Sequence, residues 1–226
     1  MVHDVRAMLH DVVTLLASPA MLFQSLRERP RWIGAVVTLI VVSAAAFFLA
    51  RAEIAAYTKE AAVLSAREQN EASVAEIETF FESPLFTAVL VVSPVALTFL
   101  SIAIYSLVGL VLLAVTGGSE EPRPYGKLFQ AALWAKLVEI PHLLLWTPLV
   151  LAKGSPEIFL GPAAIVTADP KSRLFSLMAS FDLFHIWFIV LFVLGVRIML
   201  AVEWPRAVLV AAVPWFSWQF LKLLWV

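Results

Sequence analysis

The chain has 226 residues, of which 62% are hydrophobic, and its 16 basic and 17 acidic side chains give a formal charge of −1. Ordinary soluble domains are about 45–50% apolar, so this composition excludes a typical soluble domain, and the near-neutral charge gives no reason to expect a nucleic-acid partner. Because the chain has no cysteine, it cannot form a disulfide, a thiolate nucleophile or a cysteine metal site. We also expect no cofactor. The sequence predicts an all-α polytopic membrane protein.

Residues 1–32 are predicted to form an amphipathic N-terminal segment with two short helices. In the first helix, apolar positions recur at helical spacing opposite charged ones. The apolar positions are Val5, Leu9, Val12 and Leu16, and the charged positions are Asp4, Arg6 and Asp11. The second helix starts at Ser18-Pro19, with serine as the N-cap and proline at the first helical position. Both helices are too polar to span a membrane, so we expect them at the membrane interface or packed under the bundle.

Five apolar segments are predicted to cross the membrane, because about 20 helical residues are enough to span a hydrocarbon core of roughly 30 Å. They are residues 33–50, 85–116, 128–151, 183–201 and 207–225. The second segment is long, which indicates a tilted helix with a kink near Ser93-Pro94.

Three connections between these segments have recognisable patterns. Residues 51–83 carry seven acids and three bases, which predicts a helical arm outside the membrane that bends near Asn70. Residues 152–179 contain several glycines and prolines, and we expect a last short helix there capped by Asp169 with Pro170 at its first position. Residues 202–206 are predicted to form a tight turn built on Trp204-Pro205.

The distribution of basic residues gives an orientation. Four bases precede the first span, namely Arg6, Arg27, Arg29 and Arg31, and basic residues favour the cytoplasmic side. The N-terminus is therefore predicted to be cytoplasmic, and five spans place the C-terminus outside the cell membrane.

Six polar residues form the candidate site, because ionisable groups within membrane spans are costly and need a partner or a purpose. They are Lys136, Glu139, His142, Asp182, His185 and Arg197. Glu139 with His142 and Asp182 with His185 each have i, i+3 spacing, so each pair lies near one helix face. Two such pairs on antiparallel helices resemble half of a dinuclear metal layout, although the two further glutamates of that layout are absent.

Three interpretations of this cluster stay open. In the structural one, Lys136 neutralises Glu139, Asp182 caps its helix and His185 donates to a backbone carbonyl. In the second, Glu139, His142, Asp182 and His185 handle a metal ion or a proton. In the third, the polar groups receive a lipid head group. An enzyme is not expected, because the sequence contains no Gly-x-Ser-x-Gly elbow, HExxH helix or P-loop.

Three stretches of the sequence resemble the integral-membrane domain of the Ypt-interacting-protein (YIP) family in its bacterial form. The first contains Ser18-Pro19, Phe23 and the Arg-Pro-Arg-Trp of residues 29–32. The second contains Thr116-Gly117-Gly118, residues 125–129 and Ile140-Pro141. The third contains residues 181–184, Ile186-Trp187 and Leu194-Gly195.

The resemblance implies a bundle of five transmembrane helices with a cytoplasmic N-terminus. In eukaryotic members it implies Golgi and endoplasmic-reticulum trafficking with Rab-type GTPases, linked to an Asp-Leu-Tyr-Gly-Pro motif. Residues 182–186 read Asp-Leu-Phe-His-Ile and lie elsewhere in the chain, which argues against GTPase binding.

Our first functional hypothesis is a non-enzymatic scaffold or membrane-organising protein, with lipids, further copies of the chain or other membrane proteins as partners. The second is a small transporter that uses Glu139, His142, Asp182 and His185. The third is lipid handling near Arg197 and Arg206.

Overall fold

The computed structural model describes residues 2–69, 74–166 and 172–225, and every regular element in these ranges is helical. The α-helices are α1 (Val2–Ala17), α2 (Pro19–Glu28), α3 (Ile33–Leu49), α4 (Arg51–Gln69), α5 (Val74–Glu82), α6 (Pro84–Val115), α7 (Pro124–Ala135), α8 (Glu139–Lys153), α9 (Arg173–Ser180), α10 (Leu183–Leu200) and α11 (Trp204–Trp225). Short 3₁₀ turns occur at Lys136–Val138 and Pro162–Ala164. The all-helical prediction is confirmed.

The chain divides into two compact units. The first comprises Met1–Thr38, Phe99–Glu139 and Phe159–Val226, and the second comprises Leu39–Thr98 and Ile140–Ile158. In the first unit, α10 is the central helix and packs against α2, α7 and α11. Its sequence is almost entirely apolar; one side, which includes Phe188 and Phe192, is buried, whereas Ile186 and Val190 are exposed.

Close packing of α10 depends on Gly195. A Cβ atom placed at this position would lie 2.9 Å from Cε1 of Phe23 on α2 and 3.0 Å from Cβ of Ala131 on α7. Phe23 is fully buried, as are its α2 neighbours Leu22 and Leu26. The short second helix therefore contributes three side chains to the protein core of this unit.

The second unit contains the polar helices α4 and α5, which pack against each other. Lys59 on α4 lies 3.7 Å from the carboxylates of both Glu78 and Glu82 on α5. The Tyr57 hydroxyl donates a hydrogen bond of 2.5 Å to Glu157. The Lys59 ion pairs connect the two arms of the predicted polar segment, and the Tyr57 hydrogen bond connects α4 to the residues after α8. The predicted bend at Asn70 lies outside the described residues.

By length and composition, three helices are apolar enough to cross a membrane, and a fourth span arises if α3 and α4 are taken as one bent element. The three are Pro84–Val115, Pro124–Lys153 and Leu183–Leu200. The helix axes of α3 and α4 differ by 64°. The structure thus supports a helical membrane protein with three or four candidate spans among the described residues, and the fifth predicted span, α11, stays a prediction. Its Arg206, Pro214 and Gln219 lower its hydropathy.

Two predicted helix starts need correction. Trp204-Pro205 does not form the connecting turn but begins α11, because proline is well suited to the first turn of a helix. The chain instead reverses at Ala201, which has a left-handed φ of 52°. The helix expected to start at Asp169-Pro170 begins at Arg173, where the Ser172 hydroxyl accepts a hydrogen bond from the Phe175 N–H. Residues 167–171 lie outside the described ranges.

One charged position of α1 is buried. Asp11, which the sequence places opposite the apolar positions, is only 8% exposed, whereas Leu9 and Leu16 of the apolar set are 56% and 43% exposed. Leu15 takes the core position instead. The periodicity argument assumes that charged residues point outward, and Asp11 departs from it because it has a charged partner within the unit.

Candidate functional site at one end of the first unit

The two charged residues at the start of α8 form an ion pair. Lys136 lies in the 3₁₀ turn and its ammonium group donates to the Glu139 carboxylate. Lys136 is 8% exposed, and its Nζ also lies 5.1 Å from the centre of the Phe188 ring on α10. A buried ammonium requires such a partner. This pairing is the one that the structural interpretation of the cluster requires.

Asp182 and His185 lie at the start of α10. The Asp182 carboxylate accepts a hydrogen bond of 2.8 Å from the Phe184 N–H and so caps the helix. Nδ1 of His185 lies 3.9 Å from Oδ1 of Asp182. His142 belongs to the second unit, whereas the other five predicted site residues belong to the first. Within the described ranges, no three His, Cys, Asp or Glu side chains are placed to hold a metal ion.

Arg31 joins the two N-terminal helices. One of its guanidinium nitrogens donates to the Ser25 hydroxyl on α2 at 2.9 Å and lies 3.3 Å from the Asp11 carboxylate on α1. The charge of Arg31 thus accounts for the inward position of Asp11. We call this set of three residues, Asp11, Ser25 and Arg31, the Arg31 clasp.

Helix α7 holds the backbone of the same segment. The side chains of Gln130 and Trp134 donate to the carbonyl of Arg31 at 3.1 Å and 2.7 Å. Lys127, one turn earlier, donates to the carbonyl of Arg27 at 2.5 Å. These three residues lie on one face of α7 at i, i+3 and i+7. The Arg-Pro-Arg-Trp stretch is therefore fixed from both sides, by its own Arg31 side chain and by α7.

A cleft of about 340 Å³ lies between α2 and the C-terminal end of α10. Its polar lining comes from Gln24, Arg27, Glu28 and Arg197, with Ile198, Ala201 and Val202 completing the wall. The Arg197 guanidinium lies 4.4 Å above the ring of Trp204. No carboxylate of the described residues pairs with the guanidinium of Arg27 or Arg197, so two positive charges border the same opening.

The loop that precedes α7 packs at the same end of the unit. The Arg206 guanidinium donates to the Gly118 carbonyl at 3.5 Å, and the Ser119 hydroxyl approaches the Leu200 carbonyl at 3.5 Å. Gly117 has a φ of 108°, a conformation that glycine adopts without steric cost. The ends of α2 and α10 and the starts of α7 and α11 thus meet in one polar region.

The sequence pattern singled out Arg197 and Arg206 among the residues at this end. The contacts of Asp11, Ser25, Gln130 and Trp134 gave no local signal, because each of these side chains bonds to a residue outside its own helix. One signal was present in part. Arg27 and Arg31 belong to the group of bases before the first span from which the orientation was predicted.

Comparison of the chain with curated proteins and with solved structures finds no significant match to either. The profile of the Yip1 domain matches residues 13–226. The matched region begins within α1 and covers all of the second unit and the first unit from residue 13 onward, so it contains the Arg31 clasp except for Asp11. The chain belongs to the Yip1 domain family.

Proposed function

We propose that this chain is a non-enzymatic scaffold that organises partners in the membrane through its N-terminal helices. Membership of the Yip1 domain family and the apolar helices fit a non-enzymatic membrane protein. The observation that carries the scaffold role is the way the Arg31 clasp and α7 hold α1 and α2 on the first unit.

The exposed side of α1 supports this proposal. Leu9, Val13 and Leu16 lie on neighbouring turns and are all exposed, although each is a large apolar side chain. The opposite side is held by Asp11 and Leu15. A helix that is fixed on one side and apolar on the other presents a surface suited to a second copy of the chain or to another membrane protein.

The charged residues of the helices support a scaffold more than a transporter. Lys136 and Glu139 neutralise each other, and Asp182 is engaged as a helix cap. A transport site for a cation would need acidic or histidine side chains that converge, and the described residues contain no such group of three. We therefore infer that these polar residues stabilise the fold.

The test is cross-linking in native membranes with a photoreactive residue at Val13. We expect discrete products of higher mass, and we expect Arg31→Ala to reduce their yield at least about fivefold, because a charge-assisted contact that positions α1 is lost. Limited proteolysis of the same variant should release the N-terminal segment while the remainder stays protected.

Arg29→Ala is the matched control, because Arg29 is an exposed arginine two residues from Arg31. It should leave the cross-linked products unchanged. A protein that yields only monomers in native membranes would contradict the scaffold role, as would equal losses in the two arginine variants.

A further inference from the structure

Arg27 and Arg197 border the cleft between α2 and α10 without a carboxylate partner among the described residues. Both arginines belong to the lining of one opening of about 340 Å³. Like charges that share a cleft repel each other, and an anion between them removes that repulsion. A phosphate is well suited to this role, because guanidinium donors match its oxygens in pairs.

The Arg197 side chain is held in position before any ligand binds. Its guanidinium rests over the Trp204 ring at 4.4 Å, an arrangement that leaves the edge of the guanidinium available for hydrogen bonds. Trp204 is 49% exposed and begins α11, four residues after the end of the apolar helix α10. Tryptophan and arginine at the end of a span are typical of the head-group region of a membrane.

The cleft also has a negative side. Glu28 contributes to the lining and forms no ion pair with the described residues, and α2 and α10 both end at the cleft. Helix C-termini carry partial negative charge. A ligand with phosphate alone would meet this negative side unfavourably, whereas a ligand with both a phosphate and an ammonium group matches both sides.

We propose that this cleft binds the head group of an aminophospholipid, with its phosphodiester at Arg27 and Arg197 and its primary ammonium at Glu28. The apolar residues Ile198 and Val202 complete the wall of the cleft. This binding site does not depend on the scaffold role, because it uses neither the exposed face of α1 nor the Arg31 clasp.

The experiment is native mass spectrometry of the purified full chain titrated with three dioleoyl lipids, phosphatidylethanolamine, phosphatidylcholine and phosphatidylglycerol. The wild-type chain is expected to retain phosphatidylethanolamine best. The quaternary ammonium of phosphatidylcholine cannot donate a hydrogen bond to Glu28, and phosphatidylglycerol has no ammonium at all. Equal retention of the three lipids, or a preference for either of the other two, overturns the proposal.

Variants locate the site. Arg27→Gln combined with Arg197→Lys should weaken phosphatidylethanolamine binding at least about tenfold, through the loss of paired guanidinium contacts. Arg27→Gln alone, at an exposed side chain, should cause a smaller loss without affecting folding. Glu28→Gln should abolish the preference for phosphatidylethanolamine over phosphatidylglycerol. Arg29→Gln, which removes an exposed arginine outside the lining, should change nothing, and losses equal to those of the cleft variants would overturn the site.

A further arm separates a lipid from a soluble phosphate compound. Glycerophosphoethanolamine and inorganic phosphate are added to the chain in lipid-free detergent. Binding of either one as tightly as the intact lipid would overturn the lipid assignment. Weak binding of both, with strong binding of phosphatidylethanolamine, supports it.

Discussion

At Gly195 the lack of a side chain allows α10 to approach α2 and α7 closely. Replacement by alanine would place Cβ 2.9 Å from Phe23 and 3.0 Å from Ala131, so a helix or a buried ring must move. We expect Gly195→Ala to lower the free energy of unfolding by about 1–3 kcal/mol, as overpacking usually does. Thermal unfolding in detergent measures the change. Gly126→Ala in α7, where nothing lies within 4 Å of the added Cβ, should be neutral or slightly stabilising, and equal destabilisation by both would contradict this account.

A second prediction concerns the charge balance of Lys136 and Glu139. Glu139→Ala leaves the Lys136 ammonium buried without its carboxylate, so the free energy of unfolding should fall by about 3 kcal/mol. Removing both charges with Lys136→Met and Glu139→Leu together should cost less than the single change, since no unpaired charge remains. Denaturation of the wild-type chain, of Glu139→Ala and of the double variant measures this difference.

The same double variant separates a structural role from transport. Reconstituted into proteoliposomes, it should show the proton and cation flux of the wild-type chain. A wild-type flux that the double variant abolishes would restore the transporter hypothesis, which was based on Glu139, His142, Asp182 and His185.

At the scale of elements, the start of α10 was predictable because its signals are local. Asp182 precedes an apolar run and caps it, and the helix extends from Leu183 to Leu200 against a predicted 183–201. Ser18 shows the limit of such signals. It occupies the N-cap position of α2, as predicted from Ser18-Pro19, but its side chain accepts no capping hydrogen bond.

This difference between two caps is testable. Asp182→Ala should lower the free energy of unfolding by about 1 kcal/mol, because the Phe184 N–H loses its acceptor. Ser18→Ala should have little effect, since no capping bond is lost. Hydrogen exchange at the first turns of α10 and α2 distinguishes the two sites. Faster exchange at α2 in Ser18→Ala would mean that its hydroxyl caps the helix after all.

The buried face of α1 was not predictable from helical periodicity. Periodicity assigns charged positions to the outside, and the position of Asp11 is decided by Arg31, twenty residues later. For the same reason the roles of Gln130 and Trp134, whose side chains donate to the Arg31 carbonyl, could not be predicted from the sequence. Contacts that join distant segments leave no trace in the local pattern of either segment.

For the whole molecule, the composition predicted a helical membrane protein, but the number of spans depends on how α3, α4 and α11 relate to the bilayer. Three helices are long and apolar enough to cross a membrane. Tryptophan and proline count as weakly polar on such a scale, although tryptophan is common where a helix meets the head groups. Composition therefore does not decide whether helix α11, which contains Trp204, Pro214 and Trp215, crosses the membrane.

Cysteine accessibility decides whether α11 crosses the membrane, and the chain suits the method because it contains no cysteine. Single cysteines are placed at Ser119, Ser155 and Val226 and labelled in intact cells with a membrane-impermeant maleimide. With five spans and a cytoplasmic N-terminus, Cys substitutions at Ser155 and Val226 react and the one at Ser119 reacts only after lysis. If the positions at Val226 and Ser119 behave alike, α11 does not cross, since residues on one side of a bilayer share the same access to the reagent. Reaction at Ser119 in intact cells would instead reverse the orientation that the four N-terminal bases predict.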